Sequence, residues 1–446
     1  MLRYIILLIS LACMSLMCTN FAIFHFTVIC MKSSSDNTTI SNSEGDERDF
    51  TSFEESILFA TVSVGRIIGS YPAVKLFDLC GMKTSFTIFG ILTGIGSIIV
   101  PVLGNSFIVI LIHRIIQGFG LASAFLALGV IPTSCGNDKE KSFFVSLLSC
   151  SLQLGPCLIM PVSGFFCTST AGWHGAYYFA GFSTIAAFFV FYFTYKETNQ
   201  SNRPDQVSPL ESAEPKTIDA IDSSVIIDEP ANEKSTEALK VPYLQILASP
   251  SFWGIMIVAF GDTIGYHVFL LYGPIYINKV LGFEVTSTGV LAAFPYIFSI
   301  ATKALGGVFL DRATCIKERL RVLLFVSLSQ LAMTLCFVVL LFITPDMSFV
   351  GQAMLTLMTV FSGMAFVGLM SGSQIISQQF NYIVTSALAI QDSLAGLAVP
   401  VLVAFAAPHY DKDEWILVFH ILIGLLVATN VLFVALTKVK PAKWTQ

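Results

Sequence analysis

Charge is scarce in this chain. Only 12% of its 446 residues are Asp, Glu, Lys or Arg, against 55% hydrophobic ones, and the formal net charge is −5. Soluble domains carry about twice that charged fraction, spread over their surfaces. Here the charges cluster between long apolar runs, which excludes a water-soluble globular protein. There is no CxxC pair, no Gly-rich phosphate loop and no HExxH helix, so a catalytic or ATP-driven machine is not indicated. No cofactor, metal or nucleic-acid partner is expected. No repeated filter-like segment or ring of charges occurs either, which argues against a channel.

What is present is a set of twelve apolar runs, near 3–29, 55–77, 84–104, 107–132, 142–166, 175–195, 251–278, 286–310, 320–344, 347–373, 382–407 and 415–437. A hydrocarbon core about 30 Å thick takes about 20 residues of helix, and these runs are too long for barrel strands. They predict an all-α membrane protein with twelve spanning helices. The first run begins after Arg3 and continues to Met31, too long for the core of a signal peptide, and is read as run 1.

Placing the amino terminus in the cytoplasm puts most basic residues on that side, among them Lys75, Lys83, Lys139, Lys141, Lys196, Arg312, Lys317, Arg319, Arg321 and Lys438. Lys32, Arg48, Lys279 and Lys412 fall outside. Both termini are therefore expected to be cytoplasmic. The first outer loop carries Asn37-Thr38-Thr39, a glycosylation acceptor in that compartment. Most of the ten cysteines lie within runs, where small apolar packing is expected. Cys30 and Cys167 alone approach the outer face, and the sequence favours leaving them unpaired because it does not establish the required geometry.

The runs divide six and six. Residues 1–196 form the first group and 251–446 the second, joined by a cytoplasmic linker over 197–250. From Glu197 to Lys240 the linker is acidic and polar and contains Pro204, Pro215 and Pro230, a composition that stays disordered. A short turn recurs after the second and eighth runs: Asp78-Leu79-Cys80-Gly81-Met82-Lys83 in one group, Gly306-Gly307-Val308-Phe309-Leu310-Asp311-Arg312 in the other. Glycine permits close helix approach, while a carboxylate in a short turn can accept hydrogen bonds from the next helix and pair with a basic side chain. Two such copies in matching places are read as a gate.

These turns resemble the signature loop of the major facilitator superfamily. Further segments narrow the resemblance: Arg114-Ile115-Ile116-Gln117-Gly118-Phe119-Gly120 in run 4, Gly155-Pro156 and Pro161-Val162-Ser163-Gly164 in run 5, Gly172-Trp173 after it, Ser249-Pro250-Ser251-Phe252-Trp253, Leu270-Leu271-Tyr272-Gly273-Pro274 and Phe294-Pro295-Tyr296 in the second group, and Glu414-Trp415 near the end. Together they resemble the anion:cation symporter family. The resemblance implies two six-helix bundles around a central site, alternating access, and transport of small organic or inorganic anions with protons or sodium. It also implies a monomer in the plasma membrane or a vesicular or lysosomal membrane. The chain departs from the family where members with acidic substrates have a run 1 arginine, here Asn20-Phe21, and a glutamate in run 4, here Leu121. Asp262 stands where some members place a basic residue.

A charge inside a spanning helix costs at least about 2.5–3.5 kcal/mol and so requires a partner or a wet cavity. Arg66 and Arg114 in the first group, and Asp262 and Asp392 in the second, are thus the candidates, opposite signs facing across a cleft. Arg114 matches the family's arginine and is the prime anion contact, against a bundle arginine tied to helix carbonyls. Arg66 is either a second substrate contact or a lock to Asp392. Asp262 and Asp392 are the expected coupling carboxylates. His267 and Tyr266 are further substrate-contact candidates, with His25, Asn20 and Tyr272 as lining groups. Lys303 is expected to snorkel to the surface. Gly155-Pro156 is either a hinge or a static kink. The sequence thus predicts a transporter of a small anion coupled to a proton or sodium ion, with a non-transporting sensor or scaffold as the alternative.

Overall fold

The computed structural model describes residues 2–31, 50–104, 106–135, 144, 147–195, 242–312 and 317–445. Asn37 and the linker from 196 to 241 lie outside the described residues, as do the side chains of Gly307, Asp311 and Arg312. The described chain is built of helices: α1 (Leu2–Met31), α2 (Ser52–Leu103), α3 (Phe107–Cys135), α4 (Ser151–Thr168), α5 (Gly172–Thr194), the short α6 (Tyr243–Leu247), α7 (Pro250–Lys279), α8 (Val285–Arg312), α9 (Glu318–Leu340), α10 (Ser348–Ser377), α11 (Asn381–Ala406) and α12 (Lys412–Leu436).

Eleven of these are long and apolar enough to cross a membrane, where twelve runs were expected. The difference lies in α2, whose 52 residues would reach about 78 Å at 1.5 Å per residue, more than twice a hydrocarbon core. Gly81 interrupts it with φ 79° and ψ 171°, outside the helical region, so α2 is two spans joined at a one-residue corner. The corner explains the glycine, since a side chain is strained at that φ.

α1 packs on α4, and α2 on α3 and α5, forming one bundle; α7 packs on α12, and α9 on α10, forming the other. The bundles meet where α2 faces α11, α4 faces α8, and α1 faces α7. Small residues set the tightest approaches. A Cβ on Gly118 would stand 2.5 Å from the Val62 carbonyl oxygen, and one on Gly155 would stand 2.8 Å from that of Ser15. α4 continues as a helix through Pro156 and Pro161. The Gly155-Pro156 step therefore serves here as the seat for α1, and the Thr19 hydroxyl donates to the Gly155 carbonyl left accessible there at 3.3 Å.

Cys30 and Cys167 are joined in a disulfide, contrary to the sequence expectation. The ends of α1 and α4 converge, bringing the two Cα atoms to 5.9 Å, inside the range a disulfide requires. Sequence separation of 137 residues concealed that convergence. The end of the molecule that carries this bond is called the Cys30 face below, and the opposite end the Gly81 face. At the Cys30 face α2 starts with a capping box: the Glu54 N–H donates to the Thr51 hydroxyl at 3.3 Å while the Thr51 N–H donates to the Glu54 carboxylate at 3.0 Å.

Candidate substrate and coupling site

The seam between α2 and α11 holds the central ion pair. Nη2 of Arg66 donates to Oδ2 of Asp392 at 2.5 Å, and Nε donates to the Ser393 hydroxyl at 2.7 Å. Arg66 lies fourteen residues in from Ser52 and Asp392 fourteen residues in from Ala406, so both stand about 21 Å from the Cys30 face. The guanidinium also sits 5.1 Å over the ring of Phe125 in α3. The Asp392 side chain is 34% exposed and that of Arg66 14%, so the pair faces an open seam rather than a sealed core.

His267 of α7 completes the cluster. Its Nε2 stands 3.8 Å from Oδ1 of Asp392, the carboxylate oxygen Arg66 leaves open. Its Nδ1 lies 2.9 Å from the Thr263 carbonyl oxygen, an acceptor, which fixes the hydrogen on Nδ1. Nε2 is then the ring atom that gains or loses a proton. Gly396, one turn along α11 from Asp392, admits both neighbours: a Cβ there would be 2.5 Å from the Ser63 hydroxyl and 3.5 Å from Nε2 of His267. Tyr266 projects beside His267, ring centroids 5.9 Å apart.

Arg114 is enclosed within its own bundle and wholly buried. Nε donates to the Leu58 carbonyl at 3.1 Å, Nη1 to the Phe21 carbonyl at 2.8 Å and to Oε1 of Gln117 at 2.9 Å, and Nη2 to Nε2 of His25 at 3.0 Å. Phe21 and Phe24 flank it, 5.6 and 5.3 Å from their ring centroids. All four acceptors are uncharged, and among the described residues Arg114 has no carboxylate partner. Since guanidinium only donates, His25 must present a lone pair at Nε2 and carry its hydrogen on Nδ1. Next to Arg114, Asn20 satisfies its whole amide: Nδ2 donates to the Leu16 carbonyl and the Thr184 hydroxyl, each at 2.7 Å, and Oδ1 accepts from Ser97 at 2.5 Å. Gln117 donates to the Asn20 carbonyl, and Ser97 contacts His113 at 3.1 Å. Where the family has a charged residue near Phe21, this chain has a neutral amide network; Leu121, at the missing glutamate, packs with Cys18 and Val62.

Asp262 is also buried, but in the other bundle. Its Oδ2 accepts from the Ser362 hydroxyl of α10 at 2.9 Å, while Oδ1 has no hydrogen-bond partner among the described residues. Arg114 and Asp262 thus do not oppose one another across a cleft as the sequence suggested; only Arg66 and Asp392 do. Lys303 does not snorkel freely: it is half-buried, its ammonium 4.9 Å from the Phe366 ring centroid, because α10 lies against its stem at Gly363.

At the Gly81 face, Asp78 is exposed and makes no hydrogen bond or ion pair among the described residues, while the Lys83 ammonium lies 4.3 Å over the ring of Tyr192. Gly306 lies by Phe325, whose ring a Cβ would meet at 3.3 Å. Sequence reasoning missed a second set of contacts between the bundles, at the Cys30 face. The Tyr410 hydroxyl donates to the buried Glu55 carboxylate at 2.8 Å, Ser56 and Tyr272 share a hydrogen bond of 3.0 Å, and Thr286 donates to Thr168 at 3.2 Å. Gly289 of α8 meets α4 so closely that a Cβ would be 2.6 Å from the Met160 carbonyl oxygen and 3.1 Å from Cα of Gly164. The available signal was Glu55, a carboxylate opening an apolar run.

Two bundles of membrane-length helices thus meet along a polar seam. The chain belongs to the Major Facilitator Superfamily, whose family model matches residues 5–380. Within it, the chain is similar to the uncharacterized transporter slc-17.3 of Caenorhabditis elegans, 26% identical over 60% of this chain and 48% of that protein, so the match spans about half of that relative's length. It is similar to sialin of Homo sapiens at 24% identity, over 85% of this chain and 74% of sialin. Among solved structures, the D-xylose-proton symporter shares the fold with a TM-score of 0.68 at 16% identity, covering 97% of each chain.

Proposed function

We propose that the chain is a secondary active transporter that moves a small organic or inorganic anion by alternating access, coupled to a proton or sodium ion. The observation that carries this reading is Arg114, a wholly buried guanidinium whose hydrogen bonds all end on neutral acceptors. A charge enclosed without a counter-charge is costly in such surroundings, and a bound carboxylate or phosphate is the partner that offsets the cost. Similarity to anion:cation symporters supports the same class. Arg66 is the second cation, available once it leaves Asp392, and Tyr266 offers a neutral donor beside His267.

Asp262 and Asp392 are the proposed coupling carboxylates, one holding an unpartnered oxygen and the other standing at the open seam. Asp78, Gly81 and Lys83, with Gly306, Gly307, Asp311 and Arg312, form the proposed gate at the Gly81 face, and Gly155-Pro156 the bend in α4. With the amino terminus cytoplasmic, the Cys30 face is the outer one, and the contacts of Glu55, Ser56, Thr168 and Gly164 hold that face shut. No observation favours the sensor or scaffold alternative. The test is uptake of a panel of radiolabelled anions into proteoliposomes under imposed proton and sodium gradients. Gradient-dependent accumulation is expected for the natural chain and not for Arg114→Ala or Arg114→Lys. Full accumulation by folded Arg114→Ala would remove the anion assignment.

A further inference from the structure

We propose that His267 carries the coupling proton and, on taking it up, exchanges Asp392 from Arg66 to itself, so that one proton both unlocks the two bundles and frees a cation for one anion. The proposal rests on the transport reading above and deepens it. Side chains from two helices, one in each bundle, converge on the carboxylate of a third helix. Arg66 of α2 holds Oδ2 at 2.5 Å, and Nε2 of His267 waits 3.8 Å from Oδ1. The Thr263 carbonyl fixes the hydrogen on Nδ1, so a proton arriving from the seam adds at Nε2 and nowhere else on the ring. The groups facing this ring are Asp392 of α11, Arg66 of α2 and His25 of α1, with Tyr266 beside it on α7. Among the described residues, Asp392 is the only carboxylate in direct reach.

The bookkeeping of the step is simple. Before it, Arg66 is positive, Asp392 negative and His267 neutral, and the cluster has no net charge. Water at the seam delivers a proton to Nε2, whose new N–H donates to Oδ1 of Asp392. The charge-assisted bond within the second bundle then competes with the Arg66 bond across the seam. As the Arg66–Asp392 bond breaks, the cluster holds a net charge of +1, centred on a free guanidinium. A single anion bound there restores neutrality. Loss of the proton returns Asp392 to Arg66, re-forms the lock and expels the anion. Arg66 and Asp392 are also the deepest of the named contacts between the bundles, about 21 Å from the Cys30 face. The lock therefore sits where a small change in bonding moves the far ends most.

The experiment reads the lock without needing the solute. Spin labels are placed on Phe193→Cys and Leu244→Cys, residues 77% and 84% exposed near the Gly81 face on opposite bundles, in a Cys80→Ala background. The distance between them is measured in lipid nanodiscs at about pH 5.5 and about pH 8, either side of the ordinary histidine value. The natural chain is expected to shift between two distance distributions. His267→Gln is expected to stay in the high-pH distribution, and Asp392→Asn, which cannot hold Arg66 as an ion pair, in the low-pH one. A shift in His267→Gln equal to that of the natural chain, or no shift in the natural chain, overturns the proposal. Uptake in proteoliposomes separates this from the transport reading. If a pH shift depends on His267 but the natural chain accumulates no anion, the transport reading fails while the switch stands. If His267→Gln accumulates anion under a pH gradient as the natural chain does, the switch fails and the transport reading stands.

Discussion

Arg114 and Asp262, buried in opposite bundles, are held in different ways. In the first bundle, four of the five N–H donors of Arg114 end on carbonyls, an amide and an imidazole, and each polar atom of the neighbouring Asn20 amide is hydrogen-bonded. In the second, Asp262 keeps one carboxylate oxygen without a hydrogen-bond partner among the described residues. Polar groups that are fully satisfied rigidify, whereas a carboxylate with a vacant acceptor is a place where a proton or cation improves the energy. In the proposed mechanism this difference is a division of labour: the first bundle supplies a fixed positive charge, while the second bundle and the seam supply the groups whose state changes.

That contrast breaks most directly at Arg114. Arg114→Ala strands the Phe21 and Leu58 carbonyls and Gln117, and is expected to cost about 3 kcal/mol or more, seen as a large drop in thermal stability in detergent. If it melts like the natural chain, the enclosed guanidinium is not the anchor described here. Next in size is Gly289→Ala, whose Cβ meets the backbone of α4 at the Cys30 face. It is expected to lower uptake roughly tenfold while raising thiol labelling of Thr168→Cys from that face, since packed interfaces respond to a single added methyl. Asp262→Asn sharpens the comparison from the other side. Removing a poorly solvated charge is expected to leave stability unchanged or raise it by about 1 kcal/mol, while gradient-driven accumulation is lost. A loss of stability as large as that of Arg114→Ala would erase the difference between the bundles.

The smallest effect is expected at the loop before α12. There His409 bonds to Glu414, Nδ1 to Oε1 at 2.8 Å, and this hydrogen bond raises the imidazole above its ordinary value. Because the folded value is the higher one, the stabilisation is fully present below the ordinary histidine value of about 6.5 and is lost as pH rises through the raised one. His409→Gln should therefore flatten a slight fall in melting temperature above neutrality and leave uptake alone.

Much of the architecture was legible because bilayer thickness imposes a run length that composition alone reveals. The twelve spans follow from it, and even the missing boundary in α2 falls at Gly81, a residue singled out by its turn. The Arg66–Asp392 pair was legible as one of two readings, since a mid-helix charge demands a partner. The setting of Arg114 was likewise legible only as the second of two readings, an arginine tied to helix carbonyls. Two of its four acceptors are backbone carbonyls, which every residue possesses and which no sequence pattern marks. The contacts at the Cys30 face were hidden for a related reason: Ser56, Tyr272, Gly164 and Gly289 are ordinary residues whose meaning comes from pairing across more than a hundred positions.

The disulfide has a consequence for how such a machine can be built. Cys30 ends α1 and Cys167 lies at the end of α4, both in the first bundle, at a face where that bundle also touches the second. The covalent tie therefore lies within one moving part and not across the joint. In the proposed alternating-access cycle it stiffens the lever without welding the hinge, so that the bond, set once on the proposed outer side, leaves every later stroke free.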